Sequence, residues 1–214
     1  MSANIVIYGA GGLGREITLI LRDINQVKKS WNLLGFYDDG KQIGEQVDGL
    51  PVLGGLHHLN TLREKLDVVI AIADPLVRKK ISSALTNTYL QFPVLVHPHA
   101  LTGDPERNTF KKGVIITAGT ICTTGISLNE FVIVNLSCTI GHDTKIGKFC
   151  TLMPACHISG NVVINEGVLV GTGAIVLQNL KIGEGAIIGA GAVVTKNVSD
   201  GKKVIGVPAR EMHK

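Results

Sequence analysis

Every sixth residue from Ile116 to Val194 is Ile, Leu or Val, with Cys122 the single exception. The series runs Ile116, Cys122, Leu128, Val134, Ile140, Ile146, Leu152, Ile158, Ile164, Val170, Val176, Ile182, Ile188, Val194 without a break in register. A six-residue period fits neither an amphipathic helix nor an alternating strand. It predicts short strands joined by turns, three to a coil, with the aliphatics stacked inside a triangular prism. Each coil then contacts mainly its neighbours, and one core runs the length of the stack. Slim residues stand two places before the aliphatic (Thr120, Cys138, Thr144, Cys150, Cys156, Ala174, Ala186, Ala192), as narrow prism corners require. Glycine often follows it (Gly141, Gly147, Gly171, Gly183, Gly189), which predicts a turn of positive φ at that place.

Composition agrees with such a core: 45% of the 214 residues are hydrophobic, only 4% are aromatic, and 26 are glycine. A disordered chain would carry fewer aliphatics and more charge. The formal charge of +4 is mild and gives no indication of nucleic-acid or membrane-surface binding. Apolar stretches fall short of the length a membrane span needs, and the strand-like run from Ile5 leaves no room for a signal peptide. Four cysteines without metal-type spacing predict reduced thiols in a cytoplasmic protein and no metal site. Cys138, Cys150 and Cys156 fall at small inward positions and Cys122 at an aliphatic one, so all four read as packing residues.

The first half has a different grammar. Ile5–Tyr8 reads as a buried strand, Gly9-Ala10-Gly11-Gly12-Leu13-Gly14 as a turn, and Arg15 to about Lys28 as a helix. Further strands are expected at Gly35–Asp39, Val68–Ala73 and Phe92–Val96, with a helix over Leu76–Leu85. His57-His58 and His97-Pro98-His99 read as loop residues. Glycines at a strand–helix junction let backbone amides meet a phosphate at the helix N-terminus, and Asp38 and Asp39 supply carboxylates after the second strand. A nucleotide or nucleotide-sugar pocket built from Gly9, Gly11, Gly12, Gly14, Asp38 and Asp39, a purely structural turn, and a dinucleotide site all share this signature. Some 90 residues make only half of a dinucleotide fold. The expected architecture is therefore a Rossmann-like α/β domain with a small parallel sheet over 1–93, then a parallel β-helix of triangular section over 94–214.

The motifs Ile140-Gly141, Ile146-Gly147, Val170-Gly171, Ile182-Gly183 and Ile188-Gly189, with the closing Val204-Ile205-Gly206-Val207-Pro208-Ala209-Arg210, resemble the hexapeptide-repeat acyltransferase superfamily. With the glycine turn, Phe36-Tyr37-Asp38-Asp39, Ala71-Ile72-Ala73, Arg78-Lys79-Lys80-Ile81 and His97-Pro98-His99-Ala100, the chain is similar over nearly its whole length to one family. That family contains sialic acid O-acetyltransferases and N-acetyltransferases of nucleotide-linked 4-amino sugars. The resemblance implies a left-handed parallel β-helix with a C-terminal tail, acetyl-CoA as donor, no metal, a nucleotide sugar held by the first domain, and a homotrimer with sites between prisms.

Acyl transfer to an amine or hydroxyl needs a base, and histidine suits it because imidazole changes charge near neutral pH. In Gly141-His142-Asp143, His142 matches the family's base position and Asp143 its orienting carboxylate. Residues 18 apart stack on one prism corner, so Thr124, His142, Gly160 and Gln178 form a column with a spacing of about 4.8 Å. Gly160 then lies over the base, where its amide can meet the thioester oxygen. The resemblance also places Asn135 near the acetyl group, and Thr151 stands where some relatives carry a second histidine. Leu13 replaces a histidine that many relatives carry in the glycine turn, which puts the substrate's identity in doubt.

Three functions follow from this reading. The first is N-acetylation of a nucleotide-linked amino sugar in surface-glycan or glycoprotein biosynthesis. The second is O-acetylation of sialic acid or another sugar hydroxyl. The third is a non-catalytic, trimeric, nucleotide-sugar-binding regulator.

Overall fold

A computed structural model describes residues 2–212. The chain divides into two compact units, one comprising the residues up to Ala73 with Val77–Pro93, the other Asp74–Leu76 with the residues from Val94 onward.

The first unit is an α/β sheet. Its elements are β1 (Ala3–Tyr8), α1 (Gly12–Val27), β2 (Trp31–Tyr37), β3 (Gln46–Val47), β4 (Leu50–Gly54), α2 (Leu56–Thr61), β5 (Leu66–Ile70), α3 (Pro75–Ala84) from Val77 onward and β6 (Leu90–Gln91). The sheet order is β3-β4-β2-β1-β5-β6, parallel throughout except for the β3–β4 hairpin. Central β1 has Ile5, Val6 and Ile7 at zero exposure, as expected of a strand covered on both faces. Helix α1 buries Gly14, Ile17, Ile20 and Leu21, the one-face spacing of an amphipathic helix.

Three local expectations need correction. The β3–β4 hairpin and α2 lie where no regular structure was read. His57 and His58 are in the first turn of α2 rather than a loop, and His58 Nδ1 accepts the Gly55 amide at 3.1 Å, capping the helix. Of the strand expected over Phe92–Val96 only Leu95–Val96 forms, in the second unit, and a separate short strand, β6, precedes it in this sheet. Pro93 between them has no amide hydrogen to extend a ladder.

The second unit is the left-handed β-helix. Its two-residue strands form three parallel sheets, and successive neighbours in a sheet are 18 residues apart, as in Ile121–Thr139–His157. One face contains Thr139–Ile140, the next Lys145–Ile146, and the third Ile133–Val134 and Thr151–Leu152. All fourteen residues of the sixfold series are at most 2% exposed. At the far end Lys203–Ile205 still pairs with Ile187–Ile188, and Arg210–Glu211 folds back antiparallel on it. The chain therefore leaves the prism through a closing hairpin later than the repeat alone suggests; the Val207–Pro208 bond within it is cis.

The turns correct the glycine expectation. Positive φ falls on the third residue after each member of the series from Ile116 to Ile188, whether glycine or not: Phe131, Ser137, Asp143, Phe149, Ala155 and Asn161 all lie between 55° and 59°. The glycine immediately after the aliphatic is needed for space. A Cβ on Gly141 would stand 2.6 Å from the Gly160 nitrogen, and one on Gly171 2.6 Å from that of Ala190.

The slim inward residues do more than fit. Thr120, Cys138, Thr144, Cys150 and Cys156 each donate to the carbonyl 15 residues ahead, those of Asn135, Met153, Ser159, Asn165 and Gly171. Each bond ties the inner side chain to a corner carbonyl of the next coil. Cysteine and threonine serve this position where alanine serves for volume alone. Burial, with the neighbouring Cys138, pushes the Cys122 thiol up to about 12.

All four thiols are free and buried. A thiol reagent is expected to find none of them in the native protein at pH 8 and all four in guanidinium chloride. Rapid native labelling of even one would place that cysteine outside the core.

Candidate active site

The turn between Thr139–Ile140 and Lys145–Ile146 carries His142 and Asp143 on one corner of the prism. Asp143 has φ 59°, and its amide donates to the Thr124 carbonyl of the preceding coil at 3.0 Å. This left-handed residue turns its carboxylate back beside the preceding side chain, where Oδ2 lies 2.9 Å from His142 Nδ1. A carboxylate can only accept, so Nδ1 carries the hydrogen, and in the neutral ring Nε2 keeps its lone pair. The pair is accessible, with side-chain exposures of 65% and 67%.

Gly160 stacks over the imidazole. A Cβ there would lie 2.4 Å from His142 Nε2 and 2.7 Å from Cε1. Gly160 is absent from the residues of positive φ, so the ring's proximity, not backbone freedom, demands glycine. Its carbonyl accepts from Asn179, while its N–H has no protein acceptor among the described residues. An unpaired amide therefore stands beside a nitrogen with a free lone pair. The same corner continues beyond Gln178 to Lys196, which lies two residues past the inward Val194. Lys196 and Lys202, with Asn197, Ser199 and Arg210, line a cleft of about 250 Å³. The 18-residue rule reaches Lys196 in one further step from Gln178; the sequence reading stopped short of it.

Asn135 and Thr151 are not brought to this corner within the chain. Asn135 follows Ile133–Val134 and so occupies the next corner, across the face that carries Thr139–Ile140. It is 7% exposed, and its Oδ1 accepts the Leu136 amide at 2.7 Å. Thr151 belongs to the face opposite the His142 corner, paired with Ile133 and Leu169, and is fully buried. His157 is exposed, with Nδ1 2.9 Å from Thr139 Oγ1.

In the α/β unit the four glycines separate by role. Gly9 has φ 103° at the exit of β1, and a Cβ on Gly14 would stand 1.9 Å from the Gly9 carbonyl oxygen, so this helix start packs on the turn. Gly11 and Gly12 face open space. Gly11 precedes α1 without a side-chain cap, and the first turn has no acidic residue, which leaves its amides and dipole unneutralised. They border an open cleft of about 560 Å³ that Arg15 and Lys41 also line. Leu13 is half-buried in this first helical turn. The two carboxylates tie strand ends together. Asp38 Oδ2 accepts the Ala10 amide and Oδ1 that of Gly40, both at 2.8 Å. Asp39 accepts the Tyr8 hydroxyl on Oδ2 and, at 2.8 Å, the Leu56 amide at the start of α2 on Oδ1. Burial and then this bond to Asp39 raise the Tyr8 phenol well above its ordinary value.

Residues 4–85 match the family model described as the PglD N-terminal domain, and residues 161–196 match that of the bacterial transferase hexapeptide (six repeats). The GDP-perosamine N-acetyltransferase of Escherichia coli O157:H7 is 34% identical over 173 residues, 80% of this chain and 77% of that protein. The chain belongs to this acetyltransferase family. Among solved structures of the family, the acetyltransferase domain of PglB from Neisseria gonorrhoeae superposes with a TM-score of 0.90 at 31% identity. That match covers 99% of this chain and 100% of the other. PerB from Caulobacter crescentus, solved with CoA and GDP-perosamine, superposes with a TM-score of 0.89 at 29% identity, covering 99% and 98%. No helix is long and apolar enough to cross a membrane, and no group of His, Cys, Asp or Glu suited to a metal occurs among the described residues.

Gly160→Ala isolates the steric role of this glycine. Because φ at 160 suits alanine, the melting temperature is expected to stay within a few degrees, while the His142 ring resonances shift as the imidazole is pushed from Asp143. Unchanged ring resonances would mean that the close approach has no consequence.

Proposed function

We propose that the protein transfers the acetyl group of acetyl-CoA to the amine of a nucleotide-linked amino sugar, with His142 as general base. The observation that carries this reading is the His142–Asp143 pair under the unpaired Gly160 amide. The family relatives named for perosamine N-acetylation supply the acceptor class.

The amine nitrogen attacks the thioester carbonyl, and Nε2 of His142 removes its proton as the C–N bond forms. Asp143 holds the imidazole in the tautomer that leaves Nε2 free and steadies the imidazolium. The Gly160 N–H donates to the oxygen on which charge develops, a contact worth about 10²–10³ in rate where such donors have been removed. Collapse expels CoA thiolate, and the proton held by His142 balances the leaving sulfur. No acyl-enzyme is needed, and the four buried thiols take no part.

The corner column gives acetyl-CoA a track. From His142 to Lys196 is three coils, about 14 Å at ordinary strand spacing. An extended pantetheine arm covers roughly 15 Å at the length of its amide units. With the thioester at Gly160, the phosphates reach the cleft of Lys196, Lys202 and Arg210. The sugar's diphosphate belongs at the open start of α1, beside Gly11 and Gly12. Asn135 serves a neighbouring copy of the chain, since it lies one prism corner away from its own His142. A homotrimer with sites between prisms, and a role in surface-glycan or glycoprotein synthesis, complete the proposal.

Release of CoA thiol is to be followed with UDP-, GDP- and dTDP-linked 4-amino sugars and with sialic acid. Turnover of a nucleotide amino sugar, reduced at least 10³-fold in His142→Asn, is expected from loss of the base, by about the usual weight of general-base catalysis. Turnover of sialic acid alone would replace this reading with O-acetylation, and full activity of the variant would remove His142 from the mechanism. Acetyl-dephospho-CoA, lacking the 3′-phosphate, is expected to show a raised KM with kcat unchanged, and Lys196→Ala to erase that difference. Equal KM values for the two donors in the wild type would move the phosphates elsewhere.

A further inference from the structure

The prism corner that carries His142 differs from the other two in the third residue of its turns. Above Asp143 these residues are Asn161 and Asn179, at φ 55° and 61°. The corner after Ile133–Val134 has Ser137, Ala155, Gly173 and Gly191 at that place, and the corner after Lys145–Ile146 has Phe149, Gly167 and Gly185. Asparagine tolerates the left-handed conformation, but serine, alanine, phenylalanine and glycine meet the same demand on the other corners. Stacked side-chain amides stand only on the corner proposed to carry acetyl-CoA.

The two amides are joined, and one end is left open. Asn161 Nδ2 donates to Asn179 Oδ1 at 2.8 Å. With its oxygen occupied, Asn179 presents Nδ2, which has no protein acceptor among the described residues. Both asparagines are exposed. Asp143 shows where a side chain goes from this backbone conformation: it turns back beside the residue before it, within 2.9 Å of His142 Nδ1. The same conformation carries the Asn179 amide to the side of Gln178, one coil above Gly160 and on the way to Lys196.

The acetyl-CoA arm has a matching pitch. Its two amides are separated by a β-alanine unit, one methylene longer than a peptide unit, so they recur about every 4.8 Å when extended. Coils of the prism recur at about the same height. From the thioester carbon to the first amide nitrogen is about 5 Å at ordinary bond lengths. With the thioester at Gly160, the first amide comes level with Asn179, and its carbonyl needs a donor.

We infer that Asn179 is a specificity-determining residue for the acetyl donor, its Nδ2 donating to the carbonyl of the first amide of the pantetheine arm while Asn161 holds its plane. This rests on the proposed acetyl-CoA track over Gly160. The contact is remote from the reacting carbon and equal in ground and transition states, so it acts on KM and not on kcat.

The test compares wild type, Asn179→Gly and Asn179→Asp as full-length proteins. Glycine and aspartate both accept the left-handed backbone, so melting temperatures are expected within a few degrees of wild type. The Kd of CoA is read by calorimetry. Kinetics are read on the nucleotide-linked 4-amino sugar that the wild type acetylates, with three donors. These are acetyl-CoA, S-acetyl-N-acetylcysteamine, which ends just after the first amide, and S-butyl thioacetate, which has no amide. Asn179→Gly is expected to raise CoA Kd and acetyl-CoA KM about three- to tenfold at unchanged kcat, the weight of one neutral hydrogen bond. Asn179→Asp should lose at least as much, since a carboxylate cannot donate. The loss should recur with S-acetyl-N-acetylcysteamine and vanish with S-butyl thioacetate. Unchanged CoA Kd and KM in Asn179→Gly would overturn the inference. So would an equal loss with S-butyl thioacetate, which would mean a distorted turn and no contact with the amide. A wild type that binds CoA but acetylates no amino sugar would overturn the N-acetyltransferase reading, and the CoA Kd would still decide the role of Asn179. A wild type that does not bind CoA would overturn both.

Discussion

The backbone ladder between coils is the constraint on which the rest depends. From Thr109 to Val194 each two-residue strand bonds to sheet neighbours 18 residues away, so a side chain's height and corner there follow from its number alone. The inward aliphatics make this register costly to change, since a slip of one residue would turn the buried series outward. Register also fixes the site. His142 lies under Gly160 because the two are one coil apart, and Asp143 reaches Nδ1 because every turn places its third residue at positive φ.

A corner of such a prism is a good place for acyl transfer for the same reason. The Gly160 amide at its turn is not used by the ladder, so in the proposed mechanism it is free to serve as the oxyanion donor. The sequence has only to supply a base beneath that donor and remove the side chain between them. Gly160 does the second, at a position where φ would allow any residue. The small inward residues act on the other side of the same turns. Their hydroxyls and thiols pair corner carbonyls, which keeps the backbone that carries the site fixed. Thr117 stands out against that pattern because its hydroxyl is buried and unpaired.

The α/β unit uses its polar residues differently. Asp38 and Asp39, which the sequence marks as ligand carboxylates, bond to amides of the glycine turn and of α2, and to the Tyr8 hydroxyl. They hold the strand ends and the turn in one arrangement, while the start of α1 stays without a side-chain cap. A carboxylate after the second strand is thus compatible with both a bracing role and a ligand role, and sequence alone does not separate them.

The repeat by itself determined the prism, its core, the burial of all four cysteines and the stacking of Gly160 on His142, because an 18-residue coil converts sequence separation directly into position. Periodicity likewise gave β1, α1 and β5 in the first unit. It did not give the β3–β4 hairpin or α2, whose short, mixed segments carry no period, nor the split at Pro93. Tertiary structure alone decided which oxygen or amide pairs with which. It bound Asp38 and Asp39 to protein donors, buried Thr151 on the face opposite His142, and left the hydroxyl of Thr117 without a partner. Hydrogen bonding depends on distances of a few tenths of an ångström between residues far apart in sequence, and no residue pattern encodes those.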